Sequence, residues 1–526
     1  MSHLFWSFNH CRRGRRRSVI ASVRRNAGLA IAIGVVVFLR ASDFALCADA
    51  PKPILDRLIF SQIPARPPGD GHSGEPLPDG SRIVIYNTSH PEAGVANLTS
   101  GFAAAGRPDL SFDGRRMLFV GKRQSSDRFS VWEMAVDAAT DITRVVDSPW
   151  DCRSVRYLST IYTINMEHPE RHIAFGAMDL DTGHSAIFTL RRKDGSLRRI
   201  TFTRDGAFDP CILCDGRLLF AGWKTERTGT SLFTVNTDGT DVSAFAATHE
   251  PTAYRGMACD TPGGDIVYVE SHASGSGWDN GGSLVAVSRK RSLHTRRLIT
   301  PESDGTYHSP SAMSDGRLLV SYRASATDGQ KGDRTYGIYM LDPADGRRVA
   351  AVFDAPQWHD MTPLAVGPRP EPAGRSSVVN VPNGVGRLYG LDAYLFGTER
   401  ADDTGDRRIA TLRVIGAVDG KKAEEKVLGE VPVEADGSFF LEIPSRTPLR
   451  LQTLDPSGHV LTDMRSWIWV MPKESRGCIG CHEDRELTPP NRLVRALRAA
   501  PHRVGLSDQP VGAPEPEYHR RGGYPK

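Results

Sequence analysis

The chain has 526 residues, 39% of them apolar and 24% charged, which is the composition of a folded globular protein and excludes a largely disordered one. Its formal charge is +4, but eight of its arginines and no lysine fall in the first 50 residues, leaving 58 basic and 60 acidic residues beyond them. That slight acidic excess excludes nucleic-acid binding driven by overall charge.

Residues 1–50 read as a signal peptide. Arg12, Arg13, Arg15, Arg16, Arg17, Arg24 and Arg25 precede an apolar run from Ala27 to Leu39. That run is too short for a spanning helix of about 20 residues. Ala48-Asp49-Ala50 supplies an A-x-A cleavage site. The expectation is export, in a bacterium to the periplasm. A membrane is expected to be involved only if the segment stays uncleaved. Six cysteines then remain, Cys152, Cys211, Cys214, Cys259, Cys478 and Cys481, too few for a disulfide scaffold on a chain of this length.

A repeat occupies the next part. Asp109–Phe119, Asp209–Phe220 and Ser309–Leu319 each join an Asp-Gly pair to a short apolar strand, with weaker copies at His168–Gly176 and Pro262–Val269. A second, alternating strand follows each, as in Val131–Val136, Ser231–Val235 and Gly337–Leu341. Asp-Gly supplies the positive φ angles of tight hairpins. Four short strands about every 50 residues are the signature of a β-propeller. With Arg57–Phe60 and Arg82–Tyr86 as a further unit, the prediction is six blades over 55–368, of the TolB/WD40-like kind. A solenoid is the alternative architecture.

Glu371–Arg375 reads as a Pro- and Gly-rich linker. Alternating runs over 376–470, ending in Trp467-Ile468-Trp469-Val470, predict a β-sandwich of about seven strands. A short haem-binding segment over 471–503 follows, with a helix expected at Arg492–Ala500 and a disordered tail over 504–526. The predicted fold class is therefore all-β: a six-bladed propeller, a small sandwich and a short C-terminal haem-binding segment.

One motif carries chemistry. Cys478-Ile479-Gly480-Cys481-His482 is C-x-x-C-H. The two thiols can add to the vinyl groups of a haem, and the adjacent imidazole can reach its iron. One covalent haem c is expected; a local disulfide or a zinc site are the alternatives. No methionine lies beyond Met471, so a second axial ligand must be His502, His519 or an upstream residue, or the iron stays open. His359, beside Trp358 and Asp360, is placed on a loop at the domain junction as a candidate iron or metal ligand. His308 is a weaker candidate, and Met464 and Met471 read as core residues. Cys211 is a candidate zinc ligand, a buried thiol or local disulfide with Cys214 being the alternative.

The combination resembles the propeller proteins related to the hydrazine synthase alpha subunit. Phe208–Gly222, Trp358–Pro363 and the stretch from Gly429 through Met464–Ile468 to Arg476–Glu483 carry the resemblance. It implies that Cys478 and Cys481 attach the haem. In that family the motif histidine, here His482, turns toward zinc, and a tyrosine four residues later binds the iron. Here that position is Glu486, which argues against hydrazine synthesis itself. His482 then ligates iron, or zinc with Cys211 as a partner. The functional expectation is a monohaem c-type protein in electron transfer, with a redox partner protein, or in small-molecule redox chemistry as an oxidoreductase. The alternative is a propeller binding or scaffold module whose haem or zinc is structural or sensing.

Overall fold

The computed structural model describes residues 55–65, 77–163, 167–178, 184–224, 229–246, 254–272, 281–325, 335–379, 384–396, 399–400, 408–418, 424–482 and 491–506. The predicted signal peptide lies outside the described residues, as do His519 and Glu486. No helix among the described residues is long and apolar enough to cross a membrane.

Among the described residues six sheets form blades of four antiparallel strands each, and one of them gains a parallel fifth strand. Blade 2 is Ala104–Leu110, Arg116–Lys122, Ser130–Ala135 and Ala138–Val146. Blade 3 begins with Asp151–Tyr162, blade 4 with Ala207–Ile212, blade 5 with Tyr254–Asp260 and blade 6 with Thr306–Ala312. Each first strand lines a central channel. The second and third strands are buried on both faces, as in Leu218–Trp223 and Thr230–Val235, which explains their unbroken apolar character. Outer strands are exposed, as in Arg348–Phe353.

Blade 1 closes the ring. Arg57–Pro64, Arg82–Asn87 and Val95–Asn97 come from the start of the fold, and the innermost strand, Trp358–Ala365, comes from its end. The two ends pair antiparallel from Leu58↔Ala365 to Pro64↔Trp358. A buried polar chain locks this seam. Asp360 Oδ1 accepts from Gln62 Nε2 at 2.9 Å, and Asp360 Oδ2 accepts from the Ala355 amide at 2.9 Å. The Arg82 guanidinium donates to Gln62 Oε1 at 3.0 and 2.8 Å and stacks 4.1 Å over Trp358. His359 is therefore on a buried strand and not on a loop, because the chain after the last blade is recruited as a ladder partner.

The Pro- and Gly-rich linker is strapped to the ring. Arg369 N donates to Phe112 O at 2.8 Å, and Ala373 N to Cys214 O at 2.9 Å. Arg375–Ser376 then adds to blade 3 as a parallel strand. Two Asp-Gly turns are shaped by this crossing. A Cβ on Gly114 would meet Gly367 C at 2.6 Å, and one on Gly216 would meet Ala373 O at 2.2 Å, whereas Gly316 has nothing within 4 Å.

The sandwich has two sheets. One joins Val385–Phe396 to Phe439–Pro444, with Ser475–His482 and His502–Arg503 on its two edges. The other runs Glu424–Pro432, Thr411–Val418, Leu449–Leu454, Val460–Asp463. Three expectations change here. The haem-motif segment is a strand of the sandwich. Only a 3₁₀ turn, Ala496–Arg498, forms where a helix was expected. Val504, assigned to the tail, is buried in the core. Long-range pairing wins over local propensity in each case.

Two consequences are measurable. Gly216 and Gly316 share a positive φ, 83° and 91°. Gly316→Ala is expected to cost about 1 kcal/mol in urea denaturation. Gly216→Ala should cost about 2–4 kcal/mol, because the strap must also move. The second concerns pH. Burial pushes the Asp360 carboxyl up to about 7, with Asp354 adding to the rise and Gln62 and Arg82 opposing it. The folded chain thus holds this proton more tightly than the unfolded one. The stabilisation is complete below about pH 4 and is lost as pH rises through 7. The stability difference between wild type and Asp360→Asn should shrink across that window; a constant difference would refute the assignment.

Candidate functional site

The C-x-x-C-H strand is positioned by close packing. Ser475–His482 runs parallel to Val385–Phe396, in register from Arg387↔Ser475 through Gly390↔Cys478 to Asp392↔Gly480. Its glycines allow the approach. A Cβ on Gly477 would lie 2.6 Å from Tyr389 Cζ, and one on Gly480 would lie 2.4 Å from Leu395 O. Cys478, between them, is half-buried against the core that the sandwich shares with blades 3 and 4. Beyond Gly480 the register slips before His482↔Phe396. A regular strand puts residues three apart on opposite faces. The slip comes from extra residues on the partner strand, where Asp392 to Phe396 spans four residues against two from Gly480 to His482. The side chains of Cys481 and His482 lie outside the described part of the structure. Two thiols and an imidazole at this spacing, on an edge strand of the sandwich, form a donor set that fits a c-type haem.

The residues just before the motif anchor it to the propeller. Trp467-Ile468-Trp469-Val470 was expected as a sandwich strand, but it makes one bridge, Leu449↔Ile468, and packs onto blade 4. Trp469 Nε1 donates to Gly239 O at 2.8 Å, in the turn before the last strand of that blade. Trp467 Nε1 donates to Asp205 Oδ2 at 2.9 Å. Glu474 accepts from the Met471 amide at 2.6 Å and from the Asp241 amide at 2.8 Å. Burial raises the Glu474 carboxyl above its ordinary range.

The other predicted residues are spread through the fold. His359 lies in the closing blade, buried, with its Nδ1 3.4 Å from the Tyr336 amide and its ring 5.8 Å from that of Tyr336. His308 is buried on the first strand of blade 6, its Nδ1 2.5 Å from Ser309 Oγ. Cys211 is buried on the first strand of blade 4, in the core of blades 4–6 and not in the core that holds Cys478. Burial pushes its thiol up to about 12, favouring the protonated form. Cys214 lies in the turn that follows. His502 is exposed, on the edge opposite the motif strand, three strand spacings or roughly 14 Å away. Met471 is fully buried and Met464 packs against the same core, as read from sequence. Among the described residues no group of three or more His, Cys, Asp and Glu side chains is arranged to hold a metal ion.

Sequence reasoning passed over a ring of channel residues, Arg107, Asp209, Met257, Ser309 and Thr362. Their signal was present as Arg107-Pro108, Asp209-Pro210, Ser309-Pro310 and Thr362-Pro363, one dipeptide at the same point of four blades.

Fold and motif together define a class: a six-bladed propeller joined to a sandwich that carries a C-x-x-C-H strand. Residues 396–483 match the family described as hydrazine synthase alpha subunit middle domain, and the match ends just after the motif. The chain is 25% identical over 564 aligned residues to hydrazine synthase subunit alpha of Kuenenia stuttgartiensis, covering 84% of this chain and 67% of that protein. The solved Kuenenia stuttgartiensis hydrazine synthase superposes with a TM-score of 0.70 at 22% identity, over 85% of this chain and 72% of that one. TolB from Acinetobacter baumannii superposes with a TM-score of 0.41 at 12% identity, over 59% of this chain and 67% of that one. The chain is thus similar to the hydrazine synthase alpha subunit in sequence and in fold.

The anchoring tryptophan gives a direct test of how the motif strand is held. Trp469 is 1% exposed. Trp469→Phe keeps an aromatic ring but shortens it and leaves Gly239 O without its donor, and should cost about 1–3 kcal/mol. Trp469→Ala should cost about 3–5 kcal/mol in chemical denaturation. Losses below about 0.5 kcal/mol for both would mean the sandwich does not depend on this contact.

Proposed function

We propose that the chain is an exported monohaem c-type protein with redox activity. The observation that carries this reading is the C-x-x-C-H donor set on an edge strand of the sandwich, within the stretch that matches the hydrazine synthase alpha subunit middle domain. Cys478 and Cys481 hold the haem through thioether bonds, and His482 offers its imidazole to the iron. The bound haem supplies a one-electron Fe(III)/Fe(II) couple. The protein packing limits solvent on one side: Cys478 sits against the shared core, and Tyr389 covers Gly477. The electron's source and destination are a redox partner protein or a small molecule. Hydrazine synthesis is not part of the proposal, since Glu486 occupies the position of the family's iron-binding tyrosine.

The test is an absorption spectrum of the exported protein, oxidised and reduced, with a denatured pyridine sample. A haem that stays with the denatured polypeptide in wild type, and is lost in Cys478→Ser/Cys481→Ser, is the expected result. A wild-type chain that takes up no covalent haem in a host competent for its attachment overturns the reading. A low-spin, six-coordinate spectrum assigns electron transfer. A high-spin spectrum that shifts with small ligands assigns chemistry at an open iron.

A further inference from the structure

The first strands of the blades share a distortion that faces the channel. Their ladders slip at Gly106/Asp109, Phe208/Cys211, Gly256/Cys259 and His308/Ser311. At each slip, and at the matching point of the closing strand, a residue with a side chain takes a left-handed backbone. The φ values are 54° for Arg107, 49° for Asp209, 53° for Met257, 46° for Ser309 and 53° for Thr362. Proline follows four of the five, and its missing N–H suits a bulge that leaves the ladder. Such strain persists only where the surroundings impose it, and it concentrates at ligand sites. The channel that these residues line has a volume of about 320 Å³ and takes residues from all six blades. Pro368–Pro370 and Pro372, part of the strap, also line it.

Three arginines, Arg107, Arg156 and Arg369, and three carboxylates line this channel, but they are not paired one to one. Its carboxylates are Asp109, Asp209 and Asp260. Asp109 is bonded by Arg369 at 3.2 Å and by the Tyr157 amide at 2.8 Å. Asp260 pairs with Arg289 and accepts from the Cys214 amide at 2.7 Å. Asp209 accepts from Tyr254 OH at 2.9 Å and faces Arg107 at 3.9 Å. Arg107 itself donates to Arg153 O at 2.9 Å, and burial depresses its guanidinium below the ordinary value. That leaves Arg156. Its guanidinium donates to Val155 O at 2.8 Å, and no carboxylate among the described residues lies within ion-pair distance of it. Two residues earlier on the same strand, hence on the same face, Ser154 lines the channel too. Ser154 is 4% exposed, and its hydroxyl has no hydrogen-bond partner among the described residues. A buried hydroxyl without a partner is unfavourable unless a ligand joins it, and the half-buried Arg156 on the same face offers that ligand a positive charge.

We propose that the propeller channel binds a small anion, a carboxylate or an inorganic oxyanion, between Arg156, Ser154 and Arg107. Guanidinium groups and hydroxyls bond anionic oxygens through charge-assisted hydrogen bonds. A channel of this volume stands at the small end of ligand pockets, which excludes large polyanions. The site is independent of the haem reading and needs no iron.

The experiment is calorimetric titration of the full-length protein with sodium formate, acetate, nitrate and phosphate, each compared with sodium chloride. Repeating it in Cys478→Ser/Cys481→Ser separates channel binding from anions bound to iron. At least one probe should saturate in both proteins. Carboxylates saturating alone name a carboxylate ligand, and nitrate or phosphate saturating alone names an oxyanion. Arg156→Gln should weaken binding roughly tenfold or more, with Arg156→Lys intermediate. Arg347→Gln, at an exposed position, should change nothing. The proposal is overturned if no probe saturates more tightly than chloride, if Arg156→Gln binds as wild type does, or if binding vanishes with the haem.

Discussion

The strand pairing between Arg57–Pro64 and Trp358–Ala365 is the contact on which the molecule rests. Five blades are hairpin-connected and could form one after another from local contacts. The sixth exists only when chain ends separated by the whole ring meet, and the entropy of closing that loop is recovered only then. The seam is accordingly specified by more than its ladder. Asp360, Gln62, Arg82 and Trp358 form one connected set, buried at the carboxylate and open toward the arginine. A slip of one residue would turn Asp360 and Met361 to the wrong faces, so the polar chain fixes register as well as strength.

The ring in turn positions the motif strand. Blades 3 and 4 and the sandwich bury one continuous cluster, in which Leu158, Phe220 and Val235 of the propeller meet Leu388, Leu441 and Trp469 of the sandwich. The two parts are therefore not beads on a linker. The strap over 367–375 crosses the Asp-Gly turns of blades 2 and 4 so closely that neither turn can bear a side chain there. From composition, Glu371–Arg375 reads as a linker. The prolines and glycines instead remove amide donors and side chains where the backbone lies against another backbone.

How much of this was legible follows from the range of the contacts. The blade count was, because each Asp-Gly hairpin is encoded within about a dozen residues and repeats. The C-x-x-C-H donor set was, because it is contiguous. The setting of the motif was not, because its partner strand begins about ninety residues earlier, at Val385. His359 looked like a loop residue beside a linker, since nothing local announces that its strand closes a ring. Trp467-Ile468-Trp469-Val470 has the alternation of a strand, yet its indoles are spent on Gly239 and Asp205. Arg156 and Ser154 carry no motif at all. What marks them is an arginine that has no carboxylate partner among the described residues, beside a buried, unbonded hydroxyl, a juxtaposition that exists only once six distant strands face one axis.

One strand joins these features. Asp151–Tyr162 carries Ser154 and Arg156 at the channel, Leu158 in the core shared with the sandwich, and Ile161 and Tyr162 in the pairing that receives Arg375–Ser376. It is the longest blade strand, at 12 residues, and its ladder slips twice, before Ser154 and again between Tyr157 and Thr160. Each slip re-aims the side chains beyond it. A regular strand of that length would commit each face to one environment throughout. The slips allow this one to face the axis at its start, the sandwich in its middle and the strap at its end. The position of the motif strand and the shape of the channel therefore rest on the same backbone segment, which is why the propeller and the sandwich are better treated as one functional body than as a scaffold with an appended haem-binding segment.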